Sequence, residues 1–165
     1  MKDFMKLVDE CLVELKAINV PYSDKLSFTI NSRAKSRWGM CHKNPDGSYT
    51  IEISDRLLAN TVPDKSTKST IIHEILHTVP DGANHTRGWK VWANRMNAHY
   101  NYKIQRCTSS EEKGVEPVVK TIKAKYTITC SHCGYKWYRT RATHVTRNPS
   151  HYRCHCGGSL SVEAI

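Results

Sequence analysis

Residues 64–79 read DKSTKSTIIHEILHTV, and Ile71, Ile72, Ile75, Leu76 and Val79 would cover most of the circumference of a helix over that span. Ser66 or Thr67 is the expected N-cap, and Pro80-Asp81-Gly82 stops the helix. A helix this apolar belongs in a core, where a histidine or a carboxylate is costly unless it has a partner. His73, Glu74 and His77 nevertheless stand in it, as the pattern HExxH. Histidines four apart project from one helix face about one turn apart, so both imidazoles can reach a single zinc. Glu74 falls on the adjoining face, where it can hold a zinc-bound water, take its proton and pass it to a leaving amine. Those are the parts of peptide-bond hydrolysis.

A catalytic zinc needs a third protein ligand. His85 is the expected one, because Gly82 lets the chain reverse and Asn84-His85 returns eight residues after His77. The metzincin pattern HExxHxxGxxH has a shorter step, so this spacing is not of that type. His42, His99 and Cys107 are the reserve ligands.

Around this helix the chain alternates between two periodicities. Gly88 to Tyr100 is expected to be helical, with Trp89, Trp92, Ala93 and Met96 as a packed core face. Residues 1–19 place Phe4, Leu7, Val8, Cys11, Leu12, Leu15 and Ile18 at steps of three and four, an amphipathic helix ended by Pro21. Leu26 to Ile30 and Ser48 to Ile53 alternate as strands, and Arg37 to His42 forms a hairpin with the latter across Asn44-Pro45-Asp46-Gly47. Trp38 and Cys41 are read as core residues of that strand. HExxH proteases commonly take substrate as an added strand along an exposed sheet edge, and Ser48 to Ile53 is the expected edge. Tyr100, Arg95, His99 and Arg37 are the possible oxyanion donors.

Taken together, Arg37-Trp38-Gly39-Met40-Cys41, then His73-Glu74-Ile75-Leu76-His77-Thr78, Asn84-His85 and Gly88-Trp89 resemble the SprT-like zinc metallopeptidases. That family includes Spartan, the protease of DNA–protein crosslinks, and a bacterial group of predicted metal-dependent hydrolases. The resemblance implies a zincin-like domain, zinc on His73, His77 and His85, and Glu74 as general base. It also implies protein substrates bound or crosslinked to DNA. Asn84-His85 is often followed directly by Gly in this family, whereas Thr86 and Arg87 intervene here.

Residues 107–117 are polar, contain Gly and Pro, and read as a linker. Beyond it Cys130-Ser131-His132-Cys133 and Cys154-His155-Cys156 form two clusters, each followed by glycine. Four thiolates on facing hairpins suit a tetrahedral structural zinc. The second cluster has one intervening residue, so His132, His151 or His155 could replace a cysteine as ligand. A segment of under 50 residues buries too little apolar surface to fold on its core alone, which is a further reason to expect a metal. Lys120, Lys123, Lys125, Lys136, Arg139, Arg141, Arg147 and Arg153 oppose Glu163 alone there, so this segment holds most of the net charge of +10. Tyr126, Tyr135, Trp137, Tyr138 and Tyr152 are interleaved with those cations, a composition that pairs with phosphates and stacks on unpaired bases. Lys123, Lys125, Lys136, Trp137, Arg139, Arg141, Arg147 and Arg153 are the expected nucleic-acid contacts.

The chain has 165 residues, 39% hydrophobic and 24% charged, which excludes disorder and fibrous repeats. No run is long and apolar enough to span a membrane. Asp3, Asp9, Glu10 and Glu14 interrupt any signal-peptide core, so an intracellular monomer is expected. The expected fold class is α+β: a zincin-like domain over 1–106 (N-terminal helix, small antiparallel sheet, HExxH helix and following helix), a linker over 107–117, and a small all-β zinc ribbon over 118–165. The expected function is a zinc endopeptidase with one catalytic and one structural zinc, acting on protein bound to single-stranded or junction DNA. The alternatives are a proteolytically inactive zinc-binding module that binds nucleic acid or regulates, and a hydrolase of non-peptide substrates.

Overall fold

The computed structural model describes residues 1–34, 36–117 and 123–165. The chain divides into two compact units, Met1–Val118 and Val119–Ile165.

In the first unit, helix α1 (Phe4–Ala17) starts at Asp3, whose carboxylate accepts from Lys6 N at 3.1 Å. It buries Phe4, Leu7, Val8, Cys11 and Leu15, the stripe expected from the sequence. Strands β1 (Leu26–Asn31), β2 (Gly39–Lys43) and β3 (Tyr49–Ser54) form a sheet in the order β1-β3-β2. The β2–β3 pair is the expected antiparallel hairpin, with Cys41 opposite Ile51. β1 runs parallel to β3, with Phe28 opposite Ile51, so this sheet is mixed where a small antiparallel one was expected. Alternating apolar residues mark a strand but carry no strand direction. β3 is therefore central, which corrects the reading of Ser48 to Ile53 as an exposed edge. The edges are β1 and β2.

Helix α2 (Asp64–Ile75) packs on α1 and against β2 and β3. Its N-cap is Pro63, not Ser66 or Thr67; Thr67 points inward and donates to Leu57 O at 2.7 Å. Ile71, Ile72, Ile75 and Leu76 are fully buried, each worth roughly 1.5–3 kcal/mol of hydrophobic stabilisation. The last turn tightens to a 3-10 form over Leu76–Thr78, which holds His77. Helix α3 (Arg87–Tyr100) buries Trp89, Ala93 and Met96.

The segment read as a linker packs into this first unit. Ser109 caps a single turn, α4 (Ser110–Lys113), through a capping box with Glu112. Lys113 and Val115 are buried, and Trp38 Nε1 donates to Thr108 O at 3.1 Å. Polar composition hid this, although Ser109-Ser110-Glu111-Glu112 is itself a capping-box signature.

The second unit is a three-stranded antiparallel sheet, β4 (Tyr126–Cys130), β5 (Lys136–Arg139) and β6 (Leu160–Ala164), in the order β5-β4-β6. A single helical turn, α5 (His144–Arg147), interrupts the expected all-β pattern. Lys120, named among the cations, and residues 121–122 lie outside the described residues. No helix among the described residues is long and apolar enough to cross a membrane.

Candidate functional site

His73 comes from α2, His77 from the 3-10 turn that follows it, and His85 from a second 3-10 turn, Ala83–His85. One ligand nitrogen from each lies within 4.8 Å of the others, and His73 Nε2 faces His85 Nε2 at 3.0 Å. Two consecutive residues, Asn84 and His85, take positive φ values of 53° and 58° to turn the third imidazole back. Gly88 makes that return possible. A Cβ there would meet Pro80 O at 2.2 Å and Asp81 O at 2.5 Å, so α3 can approach the loop closely only through glycine. Asp81 in turn accepts from Gly88 N at 3.3 Å. The extra Thr86-Arg87 is absorbed at the start of α3, where Thr86 is the N-cap and its hydroxyl donates to Asp81 O.

Electrostatics suit metal ligation. Burial, with the neighbouring His77 and His85, pulls the His73 imidazole down to about 3. Burial also lowers His77 and His85, so all three rings are neutral and keep a lone pair at ordinary pH. With the proton on Nδ1, His77 donates to Gly82 O at 3.1 Å and leaves Nε2 for a cation. Trp89 Nε1 donates to the His73 carbonyl at 3.1 Å and its ring packs edge-on against His73 at 4.8 Å. Three neutral imidazoles converging on one point are a donor set that fits zinc.

Glu74 is buried beside this group, and burial pushes its carboxyl up to about 8, against the pull of the Lys113 and Arg37 charges. Two clefts meet along His73, Glu74 and Gly39. One, of 580 Å3, is lined by Met40, Cys41, Tyr49 and the three histidines; the other, of 340 Å3, by Arg37, Lys103, Arg106 and Lys113. The reserve ligands are elsewhere: His42 pairs with Glu52, His99 meets Tyr100 edge-on, and Cys107 lines the smaller cleft without joining the histidines. Among the oxyanion candidates, the Tyr100 hydroxyl is spent on Glu14 O and Arg95 lies over Trp92, whereas Arg37 lines the cleft of Glu74. Sequence reasoning missed Lys113. It is 5% exposed, donates to Ser69 Oγ at 2.9 Å and Ser66 O at 3.3 Å, and burial lowers its ammonium to about 8.

A model of the SprT-like family matches residues 3–109, which include this whole histidine group. The chain belongs to the SprT-like family. Members of that family are generally metallopeptidases, so the first unit of this SprT-like chain is a metallopeptidase-type domain. The chain is also 28% identical over 120 residues to the germ cell nuclear acidic-1 protein of Caenorhabditis elegans. That match covers 68% of this chain and only 20% of the relative.

The second unit of the SprT-like chain brings Cys130, Cys133, Cys154 and Cys156 together, their sulfurs within 4.8 Å of one another. Cys130 Sγ is 3.5 Å from Cys156 Sγ, and Cys133 Sγ is 3.7 Å from Cys154 Sγ. Among the described residues His132, His151 and His155 are outside this group. Backbone amides of Cys133 and His132 aimed at the Cys130 sulfur hold its thiol below the usual range. Gly134 and Gly157 supply the positive φ of the two knuckles. The cluster is compatible with a zinc ribbon.

The expected nucleic-acid contacts are split. Lys123, Lys125, Lys136, Arg139, Arg141, Arg147 and Arg153 are exposed, whereas Trp137 is partly buried. On β5, Lys136 and Tyr138 face one side and Trp137 and Arg139 the other. Trp137 packs with Tyr135 at 5.6 Å.

Proposed function

We propose that this chain is a zinc-dependent endopeptidase that acts on protein bound or crosslinked to DNA. The observation that carries the reading is the convergence of His73, His77 and His85 beside the buried carboxylate of Glu74. Zinc held by the three imidazoles would supply a Lewis acid for a peptide carbonyl and would acidify water. Glu74 then does the proton work. Buried beside the three imidazoles, its carboxylate stands where it can accept a proton from the attacking water and deliver it to the departing amine. β2 is a sheet edge whose Gly39, Met40 and Cys41 line the cleft, so the substrate is laid alongside it as a further strand.

The ribbon holds a second, structural zinc on its four cysteines, and its exposed cations hold the enzyme to nucleic acid inside the cell. The nuclear designation of the nematode relative agrees with that setting. The test is Glu74→Gln in the full chain with single-stranded DNA and a DNA-binding protein substrate. Zinc content should stay at two per chain while turnover falls by about 100-fold or more. A variant that cuts at the wild-type rate rejects the mechanism. A wild-type chain that binds DNA but cuts nothing supports the inactive-module alternative.

A further inference from the structure

We propose that the smaller cleft beside Glu74 is a specificity subsite that receives an acidic side chain of the peptide substrate. This rests on the endopeptidase reading above and adds the class of substrate residue. The cleft holds 340 Å3 and touches His73, Glu74 and Gly39 at once, so a strand laid along β2 and crossing the histidines has a side chain in reach of it. Arg37 enters from the segment before β2, and Lys103, Arg106 and Lys113 from the segment after α3. The acid that lines it is Glu74 itself. Glu112, close by, is committed to the capping box through Ser109 N and to Gln105 Nε2.

Among the described residues, no ion pair within 4 Å involves Lys103, Arg106 or Lys113. Lys113 is the buried member of the four. Its ammonium is buried, and among the described residues its hydrogen-bond partners, Ser69 Oγ and Ser66 O, are both neutral. Glu74 and Glu112 act on this ammonium only from beyond ion-pair distance. A buried cation without a contacting carboxylate is unfavourable, and one entering the cleft relieves it. The neighbouring cleft, with Met40, Tyr49, Val79 and Ala83 on its wall, carries no such concentration of cations. A nucleic-acid phosphate would satisfy the exposed Lys103 and Arg106. It fits less well a concave site that ends at a buried lysine and at the group doing the chemistry.

The experiment uses the full zinc-loaded chain and fluorogenic peptide pairs that differ by Glu or Lys at one position, moved stepwise across the cut site. At one position Glu should be preferred in kcat/KM by about fivefold or more. The double variant Lys103→Glu/Arg106→Glu should reverse that preference at the same position and leave the others alone, and Lys103→Gln/Arg106→Gln should flatten it. The same peptides are also titrated onto Glu74→Gln, with and without the charge reversal, by fluorescence anisotropy. Peptides that go uncut but bind in the predicted order, inverted by the reversal, keep the subsite and reject the endopeptidase reading. A Glu preference that is absent, or that survives the reversal, overturns the subsite. So does a reversal that weakens binding of a single-stranded oligonucleotide without altering peptide choice, which would make these cations a nucleic-acid track.

Discussion

Gly39 sets the position of Glu74. A Cβ at this residue would stand 2.7 Å from both Glu74 Cγ and Glu74 Oε1, and the carboxylate is too buried to swing aside freely. Gly39→Ala should therefore lower kcat/KM by about tenfold or more through displacement of the base. The thermal midpoint and zinc content should hardly change, and a variant with full activity would show that Glu74 has room to move. Glu52 behaves differently, as a hydrogen-bonded and charge-paired brace of the sheet. The Asn31 amide donates to it, and Arg37 and His42 stand at 3.5 and 3.4 Å, so its carboxyl is held below the usual range with Asn31 as the largest cause. A depressed folded-state value stabilises the protein fully above the unfolded value of about 4.3, and the benefit is lost as pH falls through the lowered one. Glu52→Gln should cost about 0.5 kcal/mol at pH 7 in urea melts. The gap should narrow as pH falls from about 4.3 through the lowered value. A gap of constant size over that range would rule the charge out as its source.

At the scale of elements, the loop between α2 and α3 carries the largest structural demand. Gly88→Ala places a methyl group into two backbone carbonyls, which cannot retreat as a side-chain tip can, so about 3 kcal/mol of stability should be lost. The loop would open at the same time, and zinc affinity measured by chelator competition should fall with it. Weakened stability at unchanged affinity would separate the loop from the ligand. Ser109→Ala removes one half of the capping box of α4 and should cost about 1 kcal/mol.

These elements also show what could be read from the chain. The helices and strands were legible because burial imposes its period on the sequence; Leu26–Asn31 and Arg87–Tyr100 lie within a residue or two of expectation. The place of His85 beside His73 and His77 was legible because Pro80 and Gly82 end the helix and turn the chain back. Strand order, and with it the identity of the free edge, was not legible, since β1 and β2 carry equivalent alternation. Lys113 was invisible for a related reason: a lysine in a polar stretch gives no sign that a neighbouring helix will cover it.

On the scale of the whole molecule, the two units hold themselves together in different ways. The first buries a continuous apolar core running from Phe4 to Val115. Among the described residues of the second, the buried apolar side chains are Ile128 and Cys130. Too little surface is removed from water there to balance the ordering of the chain. Under a strong chelator the amide signals of residues 123–165 should collapse to unfolded positions, while those of residues 4–104 stay dispersed. A ribbon that remains folded without metal would mean the cysteines do not bear its stability. Charge follows the same division. The excess of positive over negative charge lies mostly in the part that depends on the cluster, so, on the proposed DNA role, metal loss should weaken DNA binding and flatten its dependence on salt.

The burial of Lys113 and Val115 has a mechanical side. The covalent path out of the first unit begins immediately after these two side chains. If the second unit is pulled away from the first, the load meets the Arg56 hydrogen bond to Glu116 O and then α4 before it reaches α2. The first thing to peel is one wall of the smaller cleft, while His73, His77 and His85 are still held by α2 and the loop behind Gly88. Tension would thus open the smaller cleft before it disturbed the three histidines.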